Sequence, residues 1–514
     1  LTHFLSRRIN RRTDEYGGSL ENRVRLFREL IEDTKDAVGD SCAVAVRFCV
    51  EEFLGSQGIT SENEGKEIIE MLAELPDLWD VNISDWSMDS ATSRFESEGY
   101  QEQYMSFVKS MTSKPVVGVG RFTSPDTMLS LIQRGVMDLI GAARPSIADP
   151  FLPKKIEEGR EDEIRECIGC NICVMSDELS VPISCTQNPT MGEEWRRGWH
   201  PERIEPRNSD DGVLVVGGGP AGLECALALG QRGYRVILAE ASAELGGRVS
   251  RESRLPGLAE WGRVRDYRVL MLERMANVSI YRENPLSADE IFEFSAEDQF
   301  DYSHVMLANG SSWRRNGLGR IHREPIPGLD KLKVFTPDDI MDGVLAKGRV
   351  VVFDDDHFYM GGVLAEKLRR EGHDVLLVTP APDISTWTHK TLEQRKIQKQ
   401  LMDLGVELAT QTNLTAAETG KVELSCIFTE RKIERECDSL LLVTERIPND
   451  GLFNSLNGDP ERLTNAGIKT LKCIGDSFAP ATIAAAVYSG HLAARELQAE
   501  PQEEVPFLRE RIQI

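Results

Sequence analysis

Between residues 1 and 155 the apolar positions follow two alternating rhythms. One is helical: in ENRVRLFRELIEDTKDAVG (21–39), Val24, Phe27, Leu30, Ile31 and Val38 share a face. The other is the short unbroken apolar run, seen in CAVAVRF (42–48), WDVNIS (79–84), KPVVGVG (114–120) and MDLIGA (137–142). Helical patterns at about 62–74, 100–113 and 124–135 separate these runs. Near-continuous apolar strands alternating with helices predict a parallel sheet buried on both faces. Four strands are expected. A closed (β/α)8 barrel needs eight and roughly 250 residues, so the pattern is that of half a TIM barrel.

At 213 the rhythm changes. VLVVGGGPAGLECALALGQRGYRVILAEA reads as strand, glycine turn, helix and second strand. RVVVFDDDHFYMGGVLAEKLRREGHDVLLVTP, from 349, has the same outline, and LKCIGDSFAPATIAAAVYSGHLAARELQ reads as a strand running into a helix. A polar connector, EEWRRGWHPERIEPRNSD, precedes the first of these units. The predicted class is α/β throughout.

The 514 residues suffice for roughly three or four domains. Sixty Lys and Arg against 84 Asp and Glu leave a net charge of −24. That balance disfavours nucleic acid or an anionic membrane as partner. No apolar run reaches the roughly 18 residues of a membrane-spanning helix, and LTHFLSRRIN lacks a signal-peptide pattern. It also lacks an initiator Met, which suggests a fragment. Ten mostly scattered cysteines in an acidic chain do not form a secreted disulfide framework. A soluble cytoplasmic protein is expected.

Four of those cysteines lie in CIGCNICVMSDELSVPISC (167–185). Cys167, Cys170 and Cys173 are separated by two residues each, and Cys185 follows after eleven more. Three thiolates on one tight loop plus a fourth from farther along suit the corners of a [4Fe–4S] cluster. Structural zinc more often takes two separated CxxC pairs or adds His, and the segment holds no His; zinc and four unligated thiols are the alternatives. Cys42, Cys49, Cys225, Cys426, Cys437 and Cys473 are dispersed and are read as small hydrophobes.

Gly217, Gly219 and Gly222 form GxGxxG between a strand and a helix, with Glu240 ending the next strand. In that setting the glycines let backbone approach a pyrophosphate, and the acid accepts from a ribose hydroxyl. Asp476, in CIGD, is a second candidate contact, and Gly247 and Arg248 join the cofactor candidates. The unit at 349 lacks the glycines: Asp354, Asp356 and Tyr359 stand in their place. Three consecutive carboxylates, Asp354 to Asp356, would repel a diphosphate. That unit is expected to keep the fold without binding NAD(P)H, a diphosphate bound by another route being the alternative.

NRRTDEYGGSLENR (10–23), IADPFLP (147–153), CIGCNIC and CTQNPTMGEEWRRGWHPE together resemble the iron–sulfur flavoproteins of the old yellow enzyme superfamily. The likeness is to the trimethylamine, dimethylamine and histamine dehydrogenases and related N-demethylases, with 2,4-dienoyl-CoA reductase a more distant cousin. The resemblance implies a TIM barrel carrying FMN and a [4Fe–4S] cluster. An ADP- or FAD-binding domain with an inserted nucleotide-binding-like domain follows. In these terms residues 1–160 are a partial barrel, and 161–210 the iron–sulfur segment and connector. Residues 211–328 plus 468–500 form the ADP/FAD domain, 329–467 the insertion and 501–514 a C-terminal tail.

The resemblance assigns roles residue by residue. Arg47 matches the arginine facing the flavin pyrimidine edge. Gly120 with Arg121, and Ala143 with Arg144, match the phosphate loops after the seventh and eighth strands. Trp86 and Asp89 match a W-x-x-D motif whose Trp joins an aromatic bowl around an alkylammonium and whose Asp orients a His–Tyr pair. Asp177 falls where trimethylamine dehydrogenase has another bowl aromatic, which suggests a substrate other than a plain trialkylamine. The chain begins past the fourth strand, so the His–Tyr pair and the flavin-linking cysteine are absent. The implied activity is oxidation of a small amine. Electrons would leave through the cluster to an electron-transferring flavoprotein-like carrier, and the working form would be a homodimer. Two alternatives stand: an NAD(P)H-dependent enoate or dienoyl-CoA reductase, and a catalytically incomplete fragment.

Overall fold

The computed structural model describes residues 1–295 and 301–499; the expected tail at 501–514 lies outside them. The chain divides into two compact units, residues 1–169 and 170 onward.

The first unit is built on four parallel strands in sequential order: β1 (Ala45–Cys49), β2 (Leu78–Asn82), β3 (Val116–Val119) and β4 (Leu139–Gly141). Each falls within or beside an expected apolar run. Helix Leu20–Val38 precedes β1, and the crossovers that parallel strands need carry helix Glu64–Leu72 between β1 and β2 and helix Pro125–Gln133 between β3 and β4. The first is capped by Ser19, whose hydroxyl accepts from Asn22 N. Val24, Phe27 and Ile31 are buried on it as expected, whereas Leu30 is 42% exposed. Arg23 takes the position beside them, wholly buried with Glu64 as its bidentate partner. The pattern at 100–113 is not one helix. It breaks into Glu102–Met105 and a 3-10 turn at Val108–Met111. Ser110 donates to the Phe107 carbonyl, the local competition by which Ser shortens helices.

The second unit holds two five-stranded parallel sheets. In the first, β5 (Gly212–Val216) is central. β6 (Arg235–Ala239) and β7 (Val278–Tyr281) lie to one side of it, and β8 (Tyr302–Leu307) and strand Thr470–Cys473 to the other. The order reverses between β5 and β8, the switch point where such sheets bind ligands beyond their C-terminal strand ends. Helix Pro220–Gln231 follows the glycine turn. The second sheet places Arg349–Asp354 between Ser439–Val443 and Asp374–Val378, with helix Tyr359–Arg370 after the turn. An antiparallel three-stranded sheet over 412–436 accompanies it. Among the described residues no helix is long and apolar enough to cross a membrane.

Candidate functional site

Midway along the first two strands of the first unit, register brings charges together. Arg47 on β1 is the pairing partner of Asp80 on β2, so both side chains leave the sheet on one face. The Arg47 guanidinium lies 3.4 Å from the Asp80 carboxylate and 3.5 Å from Asp89. Burial pushes the Asp80 carboxyl above its ordinary range, with Arg47 opposing and Asp89 adding to the rise. Sequence reasoning missed Asp80; its signal was a lone acid inside the apolar run WDVNIS.

Asp89 ends the short helix Trp86–Asp89. Buried Gln101 donates from Nε2 to both the Asp89 carboxylate and its carbonyl, each at 3.0 Å. Trp86 is exposed on the same helix. Arg144 donates to the carbonyls of Ser90 (3.2 Å) and Ala91 (3.1 Å), tying the loop after β4, where Ala143 begins a helix, to the loop carrying Asp89. After β3, a Cβ on Gly120 would come within 2.9 Å of the Phe122 ring and 3.1 Å of Gly99 Cα. The turn there admits no side chain. Arg121 follows in a left-handed conformation (φ 57°), buried, and donates to the Glu96 carbonyl at 2.8 Å. A bare backbone turn flanked by guanidinium groups fits a phosphate loop.

The cysteines divide between the units. In the first, Cys167 N donates to Thr123 Oγ1 at 2.9 Å and Gly169 N to Cys167 Sγ at 3.4 Å. In the second, Cys170 is 3.2 Å from Thr186 Oγ1. Burial drives the Cys170 thiol strongly up, and Cys185 and Cys173 push it further. Four free thiols within nineteen residues, with no His among them, are a donor set that fits a metal–sulfur group. Among the described residues no set of three or more His, Cys, Asp or Glu is already disposed as a metal site. Asp177 is exposed at the end of helix Ile172–Glu178.

The glycine turn opens on a cleft of about 700 Å³ lined by Gly217, Gly219, Glu240, Gly247, Arg248 and Asp476. The three glycines do different things. A Cβ on Gly217 (φ 105°) would strike the Ala308 carbonyl at 2.4 Å, and one on Gly222 the Gly217 carbonyl at 1.9 Å. These two permit the turn and the helix packing. A Cβ on Gly219 would meet nothing within 4 Å, so its bareness keeps the cleft open. Glu240 accepts from Gly218 N (2.7 Å) and Ser242 N (2.8 Å), which fixes its carboxylate at the end of β6. Arg248 donates to the Ser311 carbonyl at 2.7 Å. Asp476 accepts from Ser311 Oγ (2.9 Å) and Arg446 (2.6 Å). Arg446, just past strand Ser439–Val443, was not anticipated.

At the second turn a carboxyl packs against the following helix, beside a cleft of about 710 Å³ lined by Arg320, Asp356 and Tyr359. Asp354 is wholly buried and accepts from His357 N at 3.0 Å. A Cβ on Gly361 would lie 2.4 Å from its carboxyl carbon. Asp355 accepts from Ile321 N at 2.9 Å. Burial holds Asp354 well above the usual carboxylate range and raises Asp355 and Asp356 too. The same burial pushes His357 down to about 4.

Residues 1–163 match the NADH:flavin oxidoreductase / NADH oxidase family and residues 211–470 the pyridine nucleotide-disulphide oxidoreductase family. The chain is 41% identical to dimethylamine dehydrogenase of Hyphomicrobium sp. (strain x), covering 98% of this chain and 71% of that protein. Histamine dehydrogenase from Rhizobium sp. 4-9 superimposes with a TM-score of 0.96 at 50% identity, over 100% of this chain and 74% of the other. The 6-hydroxypseudooxynicotine amine oxidase from Pseudomonas geniculata N1 gives 0.93 at 50% identity, over 96% and 73%.

Proposed function

We propose that this chain, which belongs to the amine-dehydrogenase branch of the old yellow enzyme superfamily, oxidises a small amine and hands the electrons to an external carrier. Arg47, Gly120, Arg121 and Arg144 are the residues of this chain that would hold FMN, and Cys167, Cys170, Cys173 and Cys185 those that would hold the [4Fe–4S] cluster. Bound FMN supplies two-electron oxidation and the cluster a one-electron exit. The cleft at Gly217–Gly222 takes ADP or FAD.

The chain's own residues divide the remaining work. Arg47 presents a fixed cation that stabilises negative charge developing on an adjacent ring. Asp80 and Asp89 keep that guanidinium oriented. The Asp89 carboxylate, steadied by Gln101, and the exposed indole of Trp86 offer the two features that recognise an alkylammonium, an anion and a π-face. Asp177 is a candidate for a second substrate contact. The acceptor we assign is an electron-transferring flavoprotein-like carrier, and the working form a cytoplasmic homodimer.

One observation carries the direction of electron flow. Asp354 fills the turn where a nicotinamide dinucleotide would place its diphosphate, which favours amine over NAD(P)H as the electron source. An anaerobic titration with dimethylamine, histamine, dimethylglycine and NADPH, followed by flavin absorbance, tests the reading. Bleaching by an amine supports it, and bleaching by NADPH alone rejects it.

A further inference from the structure

One fully buried guanidinium in the second unit joins two segments for which the proposed function gives it no task. Arg268, on helix Arg263–Glu273, is 0% exposed. Its Nε donates to Glu224 Oε2 at 2.7 Å. Its Nη1 donates to Gln187 Oε1 at 3.0 Å and the Val264 carbonyl at 2.8 Å, and its Nη2 to the Gln187 carbonyl at 3.0 Å. Glu224 lies on helix Pro220–Gln231, whose first turn borders the nucleotide cleft. Gln187 is two residues past Cys185 and adjoins Thr186, the contact of Cys170.

The other Glu224 oxygen is 2.8 Å from His491 Nδ1. Arg495 donates to His491 Nε2 at 2.7 Å. A guanidinium only donates, so His491 carries its proton on Nδ1 and gives it to Glu224. The histidine is neutral, Arg268 and Glu224 form a buried pair of opposite sign, and the half-buried Arg495 guanidinium lies beside them. Neutralising Glu224 requires one edge of the guanidinium. The other edge grips both the side chain and the backbone of Gln187, which helix packing does not require.

The geometry points to Arg268 as a positioning residue that couples nucleotide in the cleft to the hold on the Cys170–Cys185 segment, and so to the group that segment carries. This rests on the reading of the cleft as an adenine-nucleotide site and of the cysteines as cluster ligands. Nucleotide at the glycine turn satisfies the orphan N–H groups of the helix's first turn and suppresses its local opening. Through Glu224 and Arg268 the same opening would release Gln187. The coupling is reciprocal.

The test uses the full protein, with the affinity for ADP measured first by calorimetry. Hydrogen exchange of amides 185–190 and iron release to a chelator are then followed with and without saturating ADP. In the wild type ADP is expected to slow both about tenfold, within the usual range of coupling between sites. Arg268→Lys keeps the charge facing Glu224 but loses the fork. It should bind ADP with affinity within about threefold of wild type, while protection falls to about twofold or less. The electron paramagnetic resonance spectrum of the reduced protein should respond to ADP in the wild type and not in the variant. If Arg268→Lys does not fold, Gln187→Ala, which removes the side-chain acceptor of Arg268 and a donor to the Arg263 carbonyl, should lower the protection about threefold. Equal protection in wild type and variants, or none in the wild type with ADP bound, overturns the inference. Failure to bind ADP overturns it together with the cleft reading. If the protein holds no iron, the cluster reading falls and exchange alone decides: slowing by ADP in the wild type but not in the variant sustains the coupling, and any other pattern ends it.

Discussion

Asp354 occupies the space that a side chain on Gly361 would need: an added Cβ would sit 2.4 Å from the Asp354 carboxyl carbon. The carboxyl group is wedged against the first turn of helix Tyr359–Arg370, where a dinucleotide-binding fold otherwise receives phosphate. Burial and two neighbouring carboxyls raise its proton affinity. A carboxyl whose folded-state pKa is raised binds its proton more tightly in the native state than in the unfolded chain. Stability is therefore lost as pH rises from the ordinary aspartate range through the folded value. Asp354→Asn, which removes that penalty, is expected to raise the melting temperature at pH 8 by a few degrees. The gain should shrink as pH falls towards 4. Melting curves of both proteins across this range check it.

The glycine turn gives a sharper contrast. Gly222→Ala would drive a methyl to 1.9 Å from the Gly217 carbonyl, with nowhere to yield. It is expected to cost about 2–4 kcal/mol, as overpacking against backbone does. Gly219→Ala meets no atom within 4 Å. It should leave the melting temperature within about 2 °C while projecting into the cleft and displacing nucleotide. Melting curves, with chromatography of the nucleotide released on denaturation, separate the two effects.

Arg47 is held by Asp80 and Asp89. Its replacement by Met removes the cation and leaves Asp80 half-buried without its main partner. Substrate-dependent flavin reduction is expected to fall about 10²- to 10³-fold, the usual loss for a preorganised electrostatic group. Flavin content should change far less, because Gly120, Arg121 and Arg144 remain. Asp80 should also titrate at higher pH in the variant, since the group that lowers its pKa is gone. Stopped-flow reduction and the pH dependence of its rate report both.

What was legible in the sequence was local. The apolar runs placed β1 to β4, and GxGxxG after VLVV placed the cleft. The triple Asp marked the turn where Asp354 packs against Gly361. In each case the determinants lie within a dozen residues, where periodicity and turn chemistry act directly. What stayed hidden were pairings over distance. Arg47 meets Asp80 only through the register of two strands 33 residues apart. Arg446 meets Asp476, and Arg268 meets Gln187, across 30 and 81 residues. No periodicity encodes such partners. The expected helix at 100–113 failed for the opposite reason: its apolar spacing was sound, but Ser110 had a nearer carbonyl to bind.

Cys170 and Cys185 give a test of the sulfur site by itself. Cys170→Ala and Cys185→Ala should each abolish most of the protein-bound iron, whereas Cys225→Ala, in the core of helix Pro220–Gln231, should leave it unchanged. Iron and acid-labile sulfide assays on anaerobically purified protein give the answer.

The central claim is that electrons enter from an amine and leave through the protein, with the second nucleotide turn closed. Anaerobic addition of dimethylamine or histamine to the oxidised protein, beside a parallel addition of NADPH, tests it most directly through flavin absorbance near 450 nm, the usual region for an oxidised flavin. The account predicts bleaching by at least one amine and none by NADPH. Bleaching by NADPH, with every amine inert, would contradict it.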